Sequence, residues 1–208
     1  MEEKIIQRIN PWVSIWKEPR KTIRNIVNYY GNKYVLTLAL LTALVYNLNG
    51  LNDSTPEVDT TLIDMFYPVF FKSLTLGLMA FYFYGFLLYL SGKVFKGKAT
   101  KGEVYIAMAW SSIPTILGLF LWIPKLMLFG KEWFYENSDL WDNDIYLYSS
   151  LFIIFIDVVL LVYGTVIFII ALSEVQGFSK RKAFFSSLVV FIIIAMLMLL
   201  IVEYLHGL

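Results

Sequence analysis

Five long apolar stretches alternate with loops whose charge changes sign, and this alternation limits the possible folds more than any other feature. The stretches cover approximately residues 34–51, 68–91, 105–129, 148–172 and 184–205. About 20 mostly apolar residues cross the hydrocarbon core of a bilayer as one helix. A soluble chain of 208 residues, 59% hydrophobic and 16% charged, cannot enclose all five. The sequence therefore predicts an all-α, polytopic integral membrane protein with five transmembrane helices.

The loops predict the orientation of these helices. Most of the 17 Lys and Arg residues lie in the N-terminal segment, the second loop and the fourth loop: Lys4, Arg8, Lys17, Arg20, Lys21, Arg24, Lys33, Lys93, Lys96, Lys98, Lys101, Lys180, Arg181 and Lys182. The other two loops are acidic and contain Asp53, Glu57, Asp59, Asp64, Glu132, Glu136, Asp139, Asp142 and Asp144. Because Lys and Arg remain on the cytoplasmic side, we expect a cytoplasmic N-terminus and an extracytoplasmic C-terminus.

Residues 1–33 form a predicted cytoplasmic segment that precedes the transmembrane domain at 34–208. Asn10 followed by Pro11 is typical of a helix start, and Pro19 starts a second helical pattern. Aromatic and basic residues occupy different sides, which is typical of amphipathic helices in the membrane interface. The predicted interfacial anchors are Trp12, Trp16, Arg20 and Arg24. The alternative is a cytoplasmic cap that packs on the bundle without contacting lipid.

The third apolar stretch contains small residues at a spacing of four: Ala107, Ser111 and Thr115, with Pro114 between the last two. Small side chains at this spacing allow helices to approach closely in lipid. Pro114 also frees a backbone carbonyl group and favours a kink. Two interpretations remain open, namely helix packing alone and a kink that takes part in a conformational change.

Two charged residues inside the apolar stretches are candidates for function, since such residues are costly in a membrane. Asp157 lies deep in the fourth stretch and Lys72 lies near the outer end of the second. We predict that they form an intramembrane polar pair. The alternatives for Asp157 are hydrogen bonds to Ser or Tyr hydroxyls, or exposure to a wet cavity. Lys125 and Glu203 lie near stretch ends, where we expect interfacial positions.

The composition excludes several kinds of site. The chain has no cysteine and a single histidine, His206, near its C-terminus. No cysteine nucleophile, thiolate metal site, zinc motif or catalytic triad is therefore available, and we expect no catalytic residue, metal or cofactor. Residues 92–98 match the spacing GxxxxGK, but Ala99 occupies the hydroxyl position that a phosphate loop requires. We expect this basic loop to contact anionic lipid headgroups, and we expect no binding of nucleic acid.

Several segments together carry a family resemblance. They are NPWVSIW at 10–16, PRKTIR at 19–24, KATKGE at 98–103, AWSSIP at 109–114 and ALSEVQGFS at 171–179. Their content and order resemble the prokaryotic members of the Yip1 domain family over nearly the whole chain. The resemblance implies a five-span membrane fold with a cytoplasmic N-terminus, in a prokaryotic cell membrane. It supplies no catalytic residues. Eukaryotic relatives act in vesicle traffic, a role that does not transfer to cells without such traffic.

Four residues on the predicted cytoplasmic face are candidates for docking a partner: Glu103, Glu174, Gln176 and Gly177. Glu103 at a helix N-terminus is favoured by the helix dipole, whereas Glu174 at a helix C-terminus is not. We therefore expect a base such as Arg20 or Arg24 to pair with Glu174. Gly177 suits a left-handed helix cap. The alternative is that these residues only attach the N-terminal segment to the bundle.

Two functions compete at this point. The first is a membrane scaffold or adaptor that binds a membrane protein or membrane-associated partner and affects membrane organisation. The alternative is a small transporter or lipid-handling protein that uses Asp157 and the kinked third helix. An enzyme is not expected, because no constellation of nucleophile, base and oxyanion donors is visible.

Overall fold

The computed structural model describes residues 10–53, 61–134 and 142–206. Helices dominate this part of the chain, and it contains no β-strand. The α-helices are α1 (Pro11–Lys17), α2 (Pro19–Tyr29), α3 (Val35–Asn49), α4 (Leu62–Lys72), α5 (Leu78–Val94), α6 (Lys101–Ser111), α7 (Ile113–Phe129), α8 (Asp144–Gln176) and α9 (Lys180–His206). The predictions that concern Lys4, Arg8, Glu57, Asp59, Glu136, Asp139 and the side chain of His206 lie outside the described residues.

Four segments are long and apolar enough to cross a membrane: Leu62–Val94, Lys101–Phe129, Asp144–Gln176 and Lys180–Tyr204. They correspond to four of the five predicted spans. The remaining apolar stretch forms α3, which has only 15 residues and gives way to a 3-10 turn at Gly50–Asp53. At 1.5 Å per residue α3 is about 22 Å long, shorter than the hydrocarbon core of about 30 Å.

Local sequence signals determine where several helices begin. Asn10 accepts a hydrogen bond from the Trp12 N–H at 3.1 Å, and Pro11 occupies the first turn of α1, as predicted. Thr61 and Asp64 form a reciprocal capping box at the start of α4. Such caps satisfy N–H groups that the first turn of a helix cannot pair internally.

Two of the membrane-spanning segments are not uniform α-helices. In Leu62–Val94, the five residues Ser73–Gly77 form a π-helical turn, within which the Ser73 hydroxyl donates to the Val69 carbonyl at 2.7 Å. In Lys101–Phe129, the helix is interrupted at Ser112, two residues before Pro114. The Ser112 hydroxyl donates to the Ala109 carbonyl at 2.7 Å. The interruption lies where the proline predicts a kink.

The chain divides into two compact units. The first contains Met1–Lys33, Tyr82–Met108 and Ile167–Leu208, and the second contains Tyr34–Phe81 and Ala109–Val166. The first unit buries Ile15, Ile23 and Ile26 of the N-terminal helices completely. Within it, the Ser91 hydroxyl of α5 donates to the Ser186 carbonyl of α9 at 2.9 Å.

The second unit has an aromatic core. Its buried members are Leu48, Met65, Val69, Trp122, Phe129, Trp133, Phe134 and Ile153. The rings of Trp122 and Phe134 stack with centroids 5.9 Å apart, and Phe66 contacts both rings edge-on. Helices α3 and α7 are also joined by a hydrogen bond of 2.7 Å between the hydroxyls of Thr42 and Ser112. Trp122 and Trp133 of this core flank Lys125, which is described below.

Candidate functional site

Glu174 is held by two arginines of α2, as the sequence predicts. Arg20 and Arg24 are four residues apart and lie on the same face of the helix. Arg20 Nε lies 2.9 Å from Glu174 Oε2, and Arg24 Nε donates to Oε1 at 2.7 Å. The Nη2 group of Arg24 also contacts Oε1. One carboxylate in the last turn of α8 thus fixes α2 in place.

We call the ion-pair cluster of Arg20, Arg24 and Glu174 the clamp. Its two arginines are the partners that are exposed to solvent. The side chain of Glu174 is 11% exposed, whereas those of Arg20 and Arg24 are 55% and 69% exposed. A carboxylate near a helix C-terminus is disfavoured by the helix dipole, and two charge-assisted contacts offset that cost. Since both guanidinium groups reach solvent, each pair contributes at most about 1 kcal/mol. The cluster retains an excess positive charge that faces outward.

Gln176 lies beneath the basic loop between α5 and α6. It is 1% exposed, and its backbone carbonyl accepts a hydrogen bond of 3.0 Å from the Lys98 N–H. A Cβ atom on Gly92 or Gly97 would collide with the Gln176 amide. The glycines of the GxxxxGK pattern therefore make room for a side chain of α8. Neither amide atom of Gln176 has a hydrogen-bond partner in the described part of the chain.

Gly177 ends α8 in the left-handed conformation that its position predicts. Its φ angle is 69°, and the following Phe178 N–H donates to the Ser173 carbonyl at 3.2 Å. This is the six-to-one bond of a Schellman cap. Glu103 has a separate role at the start of α6, where its carboxylate accepts from the Thr100 N–H at 2.6 Å and from the Thr100 hydroxyl at 2.8 Å.

The predicted docking residues therefore do not form one exposed surface. Glu174 lies under two arginines, Gln176 is buried, and Glu103 caps its own helix. The contacts of Glu174 attach the N-terminal segment to the rest of the unit, whereas Gln176 contacts the basic loop and Glu103 bonds to Thr100 beside it. What the structure exposes at this place is the basic side of α2, with Arg20 and Arg24 at its centre.

Trp12 and Trp16, the predicted anchors of the N-terminal helices, differ in exposure. Trp12 and the neighbouring Val13 are exposed, whereas Trp16 is partly buried. The isoleucines on the same two helices are buried in protein. The isoleucines of α2 thus pack within their own unit, whereas Trp12 and Val13 at the start of α1 and Tyr29 at the end of α2 are exposed.

Asp157 in α8 pairs with Lys125 in α7, and not with Lys72 as the sequence predicts. Lys125 Nζ lies 2.7 Å from Asp157 Oδ2. Lys72 is exposed, while its neighbour Ser73 is buried. Successive helical residues point about 100° apart, so Lys72 at the end of α4 points outward and the following Ser73 points inward. Lys125, expected at the interface, is 3% exposed.

Aromatic rings complete the surroundings of Lys125. Its ammonium lies 5.0 Å from the ring centroid of Trp122 and 5.1 Å from that of Trp133. These distances are suitable for cation–π attraction, which is stronger away from water. Asp157 is less enclosed, with 25% of its side chain exposed. Gly118 on α7 leaves space for this carboxylate, since a Cβ there would lie 3.3 Å from Asp157 Oδ1.

A cavity of about 220 Å³ adjoins this ion pair. Its polar lining consists of Tyr46 and Asn49 on α3, Thr115 and Lys125 on α7, and Asp157 on α8. The remaining lining consists of aliphatic side chains from α3 and α8, together with Trp133 from the 3-10 turn Gly130–Phe134. The sequence identifies Asp157 but gives no signal for this cavity, because its walls come from three helices far apart in the chain.

Ser111 and Thr115 of the third apolar stretch lie beside α8. A Cβ on Gly164 of α8 would lie 3.1 Å from the Thr115 hydroxyl and 3.4 Å from the Ser111 carbonyl. Helix α8 therefore approaches this stretch closely. Ala107 is fully buried, and Pro114 is buried as well. Among the described residues, no group of three or more His, Cys, Asp and Glu side chains is placed to hold a metal ion.

The fold is that of a polytopic helical membrane protein. It combines apolar helices of membrane length with an internal ion pair and with an N-terminal helix that the clamp holds in place. Residues 13–202 match the Yip1 domain. The chain belongs to the Yip1 domain family, which is a family of non-enzymatic membrane proteins. No curated protein and no solved structure gave a significant match.

Proposed function

We propose that the protein is an integral membrane scaffold or adaptor that presents a fixed basic surface to a membrane-associated partner protein. The observation that carries the proposal is the clamp of Arg20 and Arg24 on Glu174. It holds α2 at a defined place on its unit while leaving both arginines exposed. A rigid surface loses little conformational entropy on binding, which favours affinity.

The charge of this surface indicates what it binds. Lys17 and Lys21 are exposed beside the two arginines. Each basic residue near an anionic membrane contributes about 1 kcal/mol of attraction, and a positive surface also steers acidic proteins towards it. We infer that the surface contacts anionic headgroups and an acidic patch on the partner.

The orientation of the chain is part of the proposal. Basic loops remain on the cytoplasmic side, so α1 and α2 lie in the cytoplasm of a prokaryotic cell and the C-terminus lies outside. The exposed Trp12 and Val13 on α1 then suit insertion into the headgroup region. In this interpretation α1 and α2 form an interfacial amphipathic pair, with the isoleucines of α2 turned towards protein.

The end of α8 supports the binding surface through three residues, Glu174, Gln176 and Gly177. They fix the end of α8, the basic loop and α2 relative to one another within the first unit. The family match and the described helices give no support to the transporter alternative.

Crosslinking in native membranes, followed by purification in mild detergent and mass spectrometry, tests this function. We expect a stoichiometric partner with the wild-type chain. Lys17→Glu reverses an exposed charge without touching the clamp, and Glu174→Gln releases the clamp, so both should reduce capture strongly. Glu203→Gln, an exposed acid on α9 with no ion pair in the described part of the chain, is the matched control. Absence of any stoichiometric partner, or equal capture by all variants, would contradict the proposal.

A further inference from the structure

The cavity beside Lys125 and Asp157 contains polar groups that lack partners. Asp157 Oδ2 is bonded to Lys125, but no described residue donates a hydrogen bond to Oδ1. Asn49 Oδ1 accepts from Trp122 Nε1 at 3.3 Å, and no described residue accepts a hydrogen bond from the Asn49 Nδ2 group. Asn49 is exposed and the Asp157 side chain is 25% exposed, so a molecule that enters the cavity can reach both groups. The cavity is therefore prepared for a ligand with both donors and acceptors.

The cavity is accessible from the lipid phase. Tyr46, Ile154 and Val158 line it and are each about half exposed. All three lie on apolar helices, where exposed side chains contact lipid. The volume of about 220 Å³ is several times the roughly 30 Å³ of a water molecule. A group larger than water can thus enter sideways from the bilayer.

The charges beside the cavity limit the net charge of a ligand that can bind there. Lys125 and Asp157 neutralise each other, and a ligand with a net charge would leave an uncompensated charge away from water. Lys125 is 3% exposed between two tryptophans, so Asp157 is the charged group that a ligand can reach. A zwitterion with a primary ammonium satisfies these conditions: its ammonium donates to Asp157, and its anionic oxygens accept from Asn49 and Tyr46.

We propose that this cavity binds the headgroup of a zwitterionic phospholipid that carries a primary ammonium. The inference does not depend on the proposed adaptor function. The ammonium contacts the free side of Asp157, and the phosphate contacts Asn49 Nδ2 and the Tyr46 hydroxyl. The acyl chains extend past the aliphatic side chains of α8 into the bilayer.

Photolabelling of the full chain tests this site. The protein is placed in nanodiscs of phosphatidylcholine and phosphatidylglycerol, with a trace of phosphatidylethanolamine that carries a diazirine near its headgroup. We expect saturable labelling of the α8 peptide that contains residues 154–161. Unlabelled phosphatidylethanolamine should compete. Phosphatidylcholine should not compete, because its quaternary ammonium has no hydrogen-bond donor.

Variants separate binding from folding. Tyr46→Phe removes only a hydroxyl, and the loss of one hydrogen bond should lower labelling about fivefold. Tyr67→Phe on α4 is the matched control, since Tyr67 is exposed and does not line the cavity. The double variant Lys125→Met/Asp157→Leu replaces the ion pair by apolar side chains and should abolish saturable labelling.

Each outcome of these experiments either supports or contradicts the proposed lipid site. Competition by phosphatidylethanolamine together with loss of labelling in the double variant supports the site. Equal competition by phosphatidylcholine, equal labelling with diacylglycerol, or unchanged labelling in a folded double variant would overturn it. Partner capture by the same double variant is expected to remain intact, so failure of this site and failure of the adaptor function are distinguishable.

Discussion

Asp157→Asn removes the negative charge of the intramembrane pair while keeping the shape of the side chain. Lys125 then remains 3% exposed between two tryptophan rings, with no carboxylate at 2.7 Å. The rings attract the ammonium but contribute only about 0.5–2 kcal/mol. We therefore expect a large loss of stability from a substitution that changes almost no volume.

The magnitude follows from the burial of the two partners. Removing one member of a buried ion pair costs about 3 to 5 kcal/mol. We expect Asp157→Asn to lie in this range. Lys125→Met should cost less, about 2 kcal/mol, because the remaining carboxylate is 25% exposed and borders the cavity.

Replacing both charges should restore most of the stability. Apolar residues of similar volume often substitute for a buried ion pair at no net cost. The double variant Lys125→Met/Asp157→Leu should therefore be close to wild type. A double-mutant cycle with the single variants Lys125→Met and Asp157→Leu should show a coupling of about 2 kcal/mol or more.

Equilibrium unfolding in mixed micelles, with increasing sodium dodecyl sulfate, measures these free energies. Lys72→Met is the matched control, because Lys72 is an exposed lysine of the same membrane unit without an ion pair to Asp157. It should leave the unfolding midpoint unchanged. If Asp157→Asn behaved like Lys72→Met, or if the two single effects simply added in the double variant, the pairing argument would be refuted.

Three further predictions concern the basic loop and the topology. Gly97→Ala should destabilise the chain by about 1–3 kcal/mol, because the new Cβ would meet the Gly92 carbonyl oxygen at 2.9 Å as well as Gln176. Gly92→Ala collides with the Gln176 side chain, and adding Gln176→Ala should rescue it as judged by thermal unfolding. The chain has no cysteine, so a single introduced cysteine can be labelled specifically. A membrane-impermeant maleimide added to intact cells should label Asp142→Cys and not Lys17→Cys. The reverse pattern would show that the orientation is opposite to the proposed one.

Features that depend on neighbours in the sequence were predictable. The Asn10 cap and the left-handed Gly177 follow from residue preferences at helix ends. The pairing of Glu174 with α2 was also predictable, since an acid at a helix C-terminus requires a base and the nearest basic segment supplies two.

Features that depend on which helices are adjacent were not predictable. The sequence shows that Asp157 needs a partner, but it does not show that α7 rather than α4 lies beside it. Hydropathy gave no warning that Lys125, near the end of an apolar stretch, is enclosed by tryptophans. The sequence also did not show that α3 is short. The apolar stretch continues to residue 51, whereas the α-helix ends at Asn49 and a 3-10 turn follows.

The short α3 has a consequence for the surrounding bilayer. At about 22 Å it is roughly 8 Å shorter than the hydrocarbon core, yet it packs directly against the membrane-length segment that contains α7. Where α3 crosses the bilayer, the lipids beside it would experience a hydrophobic mismatch that α7 does not impose. Bilayers relieve such mismatch by thinning, at a cost of fractions of a kcal/mol per Å. This side of the protein is thus best accommodated where the membrane is thin, and a local dimple in the leaflets would travel with the protein.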